Sequence, residues 1–363
     1  MATSQFPSNE VENTSKELFK KSLLIKGVIW LALVTIASVA ILFFYSHSFE
    51  SIRALSSIKI KYLVICFVML FIDLLLGSWR NHIFIRILKP GISHWVSFKA
   101  NLANMFMGAI TPFHSGAGPA QLYVYNRYGV KVLDGFIVSL INMGATLLFM
   151  PLSGLFAIWM MHNQLESGLV PILLKYGFLA FFIFLLVFLM AFWKPLWVGS
   201  VIVRMSIICS RIRPSKKERI LHWGKKSYNN IIHYQQICKK LLGDHPYLLP
   251  ISLLTTTILY LNKYSMQYII LLGLGVSVDL VQVICIEILI EFMIYFAPSP
   301  GGSGFAEVSI AVLFSKILPT SILPAFTLLQ RSFLLFIPAL VGAFVIIILL
   351  KKHTTSINKT KVE

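Results

Sequence analysis

Acidic side chains are scarce in this chain, with 14 Asp and Glu against 32 Lys and Arg, and all charged residues together make up only 13% of its 363 residues. So few polar groups cannot cover an ordinary soluble domain of this size. With 57% hydrophobic residues and a mean hydropathy of +0.79, the composition points to an integral membrane protein. Cysteine is sparse as well: Cys66 and Cys285 fall in apolar runs, and Cys209 and Cys238 fall in a basic segment without metal-ligand spacing. Reduced, structural thiols are expected. The histidines form no H-x-H, H-E-x-x-H or Cys/His cluster, so neither a metal site nor a cofactor is expected. No targeting motif is visible. The first apolar run ends in Phe44, Tyr45, Ser46 and His47 without a small-x-small cleavage pattern, which marks it as a retained helix and not a signal peptide.

What is present is a series of long apolar runs. Those of spanning length lie at residues 23–45, 62–79, 133–160, 170–193, 246–272 and 322–350, which gives six expected crossings. Two further apolar segments, 96–110 and 280–297, run into Gly/Pro clusters and read as half-helices. The expected fold class is therefore an all-α integral membrane protein with about six full crossings and two re-entrant or broken helical hairpins. A membrane domain at 23–350 is flanked by polar tails at 1–22 and 351–363.

The positive charge is unevenly placed. Segment 194–245 holds eleven Lys and Arg against only Glu218 and Asp244, linker 80–99 carries Arg80, Arg86, Lys89 and Lys99 with no acid, and the C-terminal tail carries Lys351, Lys352, Lys359 and Lys361. By the positive-inside rule all three are cytoplasmic, and six crossings then place both termini in the cytoplasm of a multi-pass inner-membrane protein. The first outer loop, 46–60, departs mildly from the rule with Arg53 and Lys59 against Glu50. On this path the first Gly/Pro segment enters from the cytoplasmic side and the second from outside, an inverted pseudo-symmetry; full crossing by both segments also places both termini inside and is the alternative path. The basic segment lacks the stacked aromatics of a single-strand binder, so anionic headgroups are its expected partner and no specific nucleic acid is.

The two Gly/Pro clusters are spelled alike. Pro112-Phe-His-Ser-Gly116-Ala-Gly118-Pro-Ala120-Gln121 returns 186 positions later as Pro298-Ser-Pro-Gly-Gly302-Ser-Gly304-Phe-Ala306-Glu307, both reading P-x-x-x-G-x-G-x-A-[Q/E]. Irregular backbone at membrane depth is tolerated only where it is buried in protein or lines a wet cavity. Gly116, Gly118, Gly301, Gly302 and Gly304 permit such backbone, and a helix starting at each cluster would aim free N–H groups at the membrane centre, where they favour an anion. No strand precedes either cluster, so a dinucleotide fingerprint is excluded. Ionisable residues inside apolar spans add to the case: Glu287 and Glu291 share a helix face, Glu307 closes the second cluster, and Asp73, Lys263 and Arg331 interrupt other spans. Asp73 and Glu287 lie near expected helix ends, within reach of the interface. Arg127, six residues after Gln121, is a candidate phosphate ligand, and His114 a candidate gating residue.

Residues 104–130, with TPFHSGAGPAQLYVYNRYGV, together with PSPGGSGFAE at Pro298 to Glu307, resemble the flippase-like transmembrane family related to the membrane domain of lysylphosphatidylglycerol synthases. In bifunctional bacterial members that domain moves aminoacylated phosphatidylglycerol between leaflets, while a separate soluble domain makes the lipid from aminoacyl-tRNA. Archaeal relatives include glycosyltransferases acting on polyprenyl phosphates. The resemblance implies transport of an anionic phospholipid or a polyprenyl-phosphate-linked headgroup, with an envelope-lipid synthase or glycosyltransferase, or a second copy of the chain, as a partner. The expected substrate-binding residues are Gly116, Gly118, Gln121, Arg127, Gly301, Gly302, Gly304, Glu307, Glu291 and Arg331. Two departures bear on this. Gln121 stands where many members have an acid, and the thirteen residues after Leu350 cannot form an aminoacyltransferase domain, so a phosphatidylglycerol lysyltransferase reading requires a separate catalytic partner. A non-transporting scaffold for an envelope synthase is the third reading.

Overall fold

The computed structural model describes residues 25–30, 32–33, 36–37, 40, 49–56, 58–161, 170–212, 217–295 and 297–360. The amino-terminal tail and most of the first expected crossing lie outside them. Among the described residues the chain is α-helical with no strand. The helices are α1 (Phe49–Ser56), α2 (Ile60–Leu88), α3 (His94–Ile110), α4 (Ala117–Arg127), α5 (Val132–Met161), α6 (Val170–Trp193), α7 (Pro195–Ile212), α8 (Lys217–Cys238), α9 (Leu248–Gly273), α10 (Leu280–Ile294), α11 (Phe305–Phe314), α12 (Leu323–Arg331) and α13 (Ile337–Thr360). Three are long and apolar enough to cross a membrane unaided: α2, α5 and the run Leu323–Leu349, in which α12 continues into α13 through a π turn. Helices α6 and α9 occupy two further expected spans.

The distribution of polarity is that of a protein dissolved in lipid. Phe67, Phe71, Trp79, Phe182, Val187 and Phe344 are exposed, whereas Asp73, Asn81, Gln121, Asn142, Gln267, Glu287, Glu307 and Arg331 are buried. Apolar side chains gain nothing by leaving lipid, so the interior is held by close packing and satisfied polar groups. Gly342 illustrates the packing: a Cβ there would run into the Leu102 carbonyl, so α13 lies directly on the α3 backbone.

Two halves repeat the same plan. In the first, α2 is followed by the pair α3 and α4 and then by α5; in the second, α9 is followed by α10 and α11 and then by α12 with α13. The halves interlock reciprocally, because α3 packs on α13 of the second half while α10 packs on α5 of the first. Between them α2 and α9 run antiparallel: Asn262 Nδ2 donates to the Met69 carbonyl at 2.9 Å, Lys263 faces Asp73, and Arg80 reaches back to Thr256. Antiparallel equivalent helices are what an axis lying in the membrane plane produces, the inverted arrangement expected from the charges.

Each half contains a helix, a tight turn and a shorter helix. Ser93 caps α3 by accepting from the Trp95 N–H, and Asp279 caps α10 by accepting from the Gln282 N–H. The chain then turns through Pro112–His114 or Pro300–Gly302. Helix α4 folds back along α3, as the contacts of Asn104 with Gln121 and of Lys99 with Tyr128 require. The α11 arm has 10 residues, about 15 Å of helix, or half the thickness of a hydrocarbon core.

The basic segment 194–245 is helical over most of its described residues. It forms a helical hairpin of α7 and α8, drawn close where Gly224 meets Ser206 and Gly199 meets Tyr228, and tied to the start of α5 by His233 and Asp134 at 3.5 Å.

Candidate functional site

The two turns meet. Pro112–His114 packs against Pro300–Gly302, so the Gly/Pro clusters of the two halves form one junction, exposed on the side of the first turn and buried on the side of the second. The turns share a construction: Ser115 N–H donates to the Pro112 carbonyl at 3.0 Å, and Ser303 N–H donates to the Pro300 carbonyl at 3.1 Å. Their central residues take left-handed backbone, Phe113 and His114 at φ 54° and 51°, Gly301 and Gly302 at φ 59° and 67°. Glycine adopts this at little cost, whereas phenylalanine and histidine are strained there.

This construction corrects the register read from the spelling. The structural repeat is P-x-x-S-G, Pro112 to Gly116 and Pro300 to Gly304, with a spacing of 188 and not 186. Gly116 and Gly304 then occupy the same place, immediately before α4 and α11. Glu307 stands at the third position of its helix, where the first half has Pro119, and Gln121 stands two residues further along. At a spacing of 188 Gly116 pairs with Gly304 but Gly118 falls on Ala306 and His114 on Gly302, so the Gly-x-Gly letters match better two residues out of the structural register.

The second turn carries charge. Glu307 Oε2 accepts from the Gly304 N–H at 2.6 Å, and Glu307 Oε1 lies 3.1 Å from Arg331 Nε. The Arg331 guanidinium also donates to the Gly301 carbonyl and the Ser303 hydroxyl, both at 2.9 Å. One arginine thus holds the irregular backbone and the carboxylate that caps α11, all buried. The neighbouring Gln330 donates to both Glu287 oxygens at 2.8 and 2.9 Å. A π turn, Ser332–Phe336, follows directly, an interruption of the α ladder that recurs at functional sites. Glu291, one turn after Glu287, receives no hydrogen bond among the described residues and interacts electrostatically with Lys263, Arg331 and Asp73.

Behind the first turn lies a network of amides. Gln121 accepts from Asn104 at 2.9 Å and donates to Asn81 at 3.1 Å and Ser139 at 3.3 Å, while Asn142 donates to Asn81 at 3.0 Å and accepts from Ser252 at 3.0 Å. Gly116 N–H donates to the Thr111 hydroxyl at 2.9 Å, and a side chain at Gly116 would strike Thr111 and Met107. Gly118 differs: a Cβ there meets nothing within 4 Å. The start of α4 therefore opens onto free space, beside the exposed Phe113 and His114.

Of the expected site residues, Gly116, Gly118, Gly301, Gly302, Gly304, Glu307 and Arg331 gather at the junction, Gln121 lies just behind it, and Glu291 lies in electrostatic range of Arg331. Arg127 is not with them. It sits at the far end of α4, stacked near Tyr123 and donating to the Leu349 carbonyl of α13. Asp73 and Glu287 are interior and not interfacial. Arg80, counted with a loop, is the residue that sequence reasoning misplaced: α2 continues to Leu88, and Arg80 donates to Thr146 and Thr256 at 3.2 Å each. The signal available was the polar run Arg80, Asn81 and His82 with apolar Ile83 to Ile85 immediately after it.

Fold and site define a multi-pass α-helical membrane protein built from two interlocked halves whose half-helix turns meet. The chain belongs to the family described as the lysylphosphatidylglycerol synthase TM region, which matches residues 29–342. It is similar to a UPF0104 membrane protein of Archaeoglobus fulgidus, 24% identical over 296 residues that cover 80% of this chain and 87% of the relative. No solved structure matches the chain.

Proposed function

We propose that this protein moves an anionic phospholipid, or a lipid-linked phosphate headgroup, between the leaflets of the cell membrane, with both of its termini in the cytoplasm. The observation that carries this reading is the meeting of two half-helix turns from oppositely directed halves, with the start of α4 open at Gly118. Free N–H groups and the positive end of a helix favour a phosphate. At the second turn that position is already taken by Glu307, which an incoming anion would have to displace from Arg331. At the first turn no carboxylate competes, and the Gly116 N–H is already held by Thr111, so the headgroup rests at the N–H groups of Ala117 and Gly118 and the second turn serves as its ion-paired wall.

The test is leaflet exchange of fluorescent anionic lipids in proteoliposomes, with Gly118→Trp as the blocking variant. The side chain enters free space from backbone outside the left-handed region, so folding is expected to survive while exchange falls at least about tenfold, an increase of about 1.4 kcal/mol in the barrier. Absence of exchange by the wild type across phosphatidylglycerol, phosphatidic acid and polyprenyl phosphate probes refutes the proposal. So does a Gly118→Trp protein that exchanges lipid at the wild-type rate.

A further inference from the structure

The interior charges do not balance. Among the described residues Asp73, Glu287, Glu291 and Glu307 face Arg80, Lys263 and Arg331, four carboxylates to three cations. The geometry sharpens the tally. Arg331 is committed to Glu307 at 3.1 Å, and Lys263 leans on Asp73 at 3.9 Å. Arg80 spends its guanidinium on two threonine hydroxyls, and Glu287 is met only by the neutral amide of Gln330. Glu291 has no committed cation. A phosphate headgroup entering this interior, as proposed above, adds negative charge to an excess of it.

The unsatisfied atoms lean the same way. Gln330 Oε1, Gln267 Oε1 and Asp73 Oδ1, all acceptors, are buried without a hydrogen-bond partner, as is the Tyr264 hydroxyl, which can donate or accept; of the orphaned guanidinium donors here, Arg331 Nε faces Glu307 as an ion pair and Arg80 Nε faces no acceptor. Tyr264 is only 2% exposed and its hydroxyl interacts with both Glu291 and Glu287. Buried acceptors without donors, beside a carboxylate that shares Lys263 and Arg331 with Asp73 and Glu307 and has no ion pair of its own, describe a site short of one positive ligand. No group of three His, Cys, Asp or Glu gathers among the described residues as a divalent metal would need, so one charge is the fit.

We propose that a monovalent cation, a proton or an alkali ion, binds at Glu291 and Glu287 with the Gln330 and Tyr264 oxygens, and that it accompanies the anionic headgroup across the membrane. This rests on the translocation reading for its second half only. The groups that act on Glu291 are Lys263, Tyr260 and Tyr264 from α9, Arg331 from α12, Asp73 from α2, Glu287 from its own helix and Tyr295 immediately after it.

Two binding measurements on the purified full chain separate the proton from the alkali ion. A pH-jump infrared difference spectrum reports a protonated carboxyl band that Glu291→Gln abolishes, and radioactive sodium or rubidium reports saturable binding that the same variant loses. Glu291→Asp, which keeps the carboxylate, restores whichever signal is found. In proteoliposomes a tenfold gradient of the bound cation shifts the steady-state leaflet distribution of the moving lipid by up to about tenfold, one cation per lipid. Wild-type protein that gives neither binding signal overturns the cation site, whether or not lipid moves. Lipid exchange indifferent to both gradients overturns the coupling and leaves translocation standing, while a Glu291-dependent binding signal without exchange of any lipid supports the site and refutes translocation.

Discussion

Replacing Arg331 with methionine removes the one side chain that ties three parts of the second turn together. The guanidinium and the Glu307 carboxylate are 7% and 1% exposed, so neither charge can turn to water when its partner is lost. Breaking such a pair by removing one member costs about 3–5 kcal/mol, because the other is left buried and uncompensated. Arg331→Met belongs at the upper end, since the hydrogen bonds to Gly301 and Ser303 go with it. Glu307→Gln belongs at the lower end: the amide oxygen can still accept from the Gly304 N–H, and Arg331 keeps two acceptors. The double variant leaves no stranded charge, so it is expected to recover at least about 2 kcal/mol of the summed single losses, within the range found for groups in one network. Reversible unfolding in mixed micelles with increasing SDS, followed by circular dichroism, measures all three proteins. Losses that add to within about 0.5 kcal/mol would show that the two charges act independently and that this pair is not the fastener of the turn.

Two further outcomes follow from the same geometry. Phe113→Gly relieves a left-handed residue that is 62% exposed and buries little, so stability in the same unfolding assay is expected to rise by about 0.5–1 kcal/mol, the released strain being partly offset by the entropy of glycine; a loss of stability refutes the strain. Cys209 is exposed, while Cys238 is partly buried and burial pushes its thiol above the ordinary range, so at pH 8 Cys238 stays neutral and maleimide labels a Cys209-only protein faster than a Cys238-only protein; equal rates refute the packing of α8.

The helix breaks were legible because glycine and proline interrupt an apolar run whatever surrounds them. The two half-helices and the reversed halves followed from that interruption and from the placement of lysine and arginine. Partners were not legible. Arg80 ended an apolar run and joined a basic linker, and nothing local distinguishes it from Arg86; its interior position is set by Thr146 and Thr256, which arrive from other helices. Asp73 meets Lys263 across 190 positions, and Arg127 finds a carbonyl of α13, contacts that spacing along one helix cannot supply. The amide network around Gln121 was visible only as scattered Asn and Ser in apolar stretches.

The corrected register changes what the asymmetry of the halves means. Read by spelling, Gln121 is a neutralised Glu307. Read by structure, Glu307 corresponds to Pro119, which has neither a carboxylate to cap a helix start nor an N–H to be capped. The first turn therefore could not hold an ion pair of the Glu307 and Arg331 kind; its buried Gly116 N–H is satisfied by the Thr111 hydroxyl, and the amides of Gln121, Asn81, Asn104 and Asn142 pair with one another behind it. Both solutions meet the same demand, that polar groups inside a membrane protein find partners within it. They differ in what they leave available. A carboxylate fixed at a helix start excludes other anions, whereas neutral amides behind an open Gly118 do not, which is why the proposed headgroup site is placed at the first turn and not at the second.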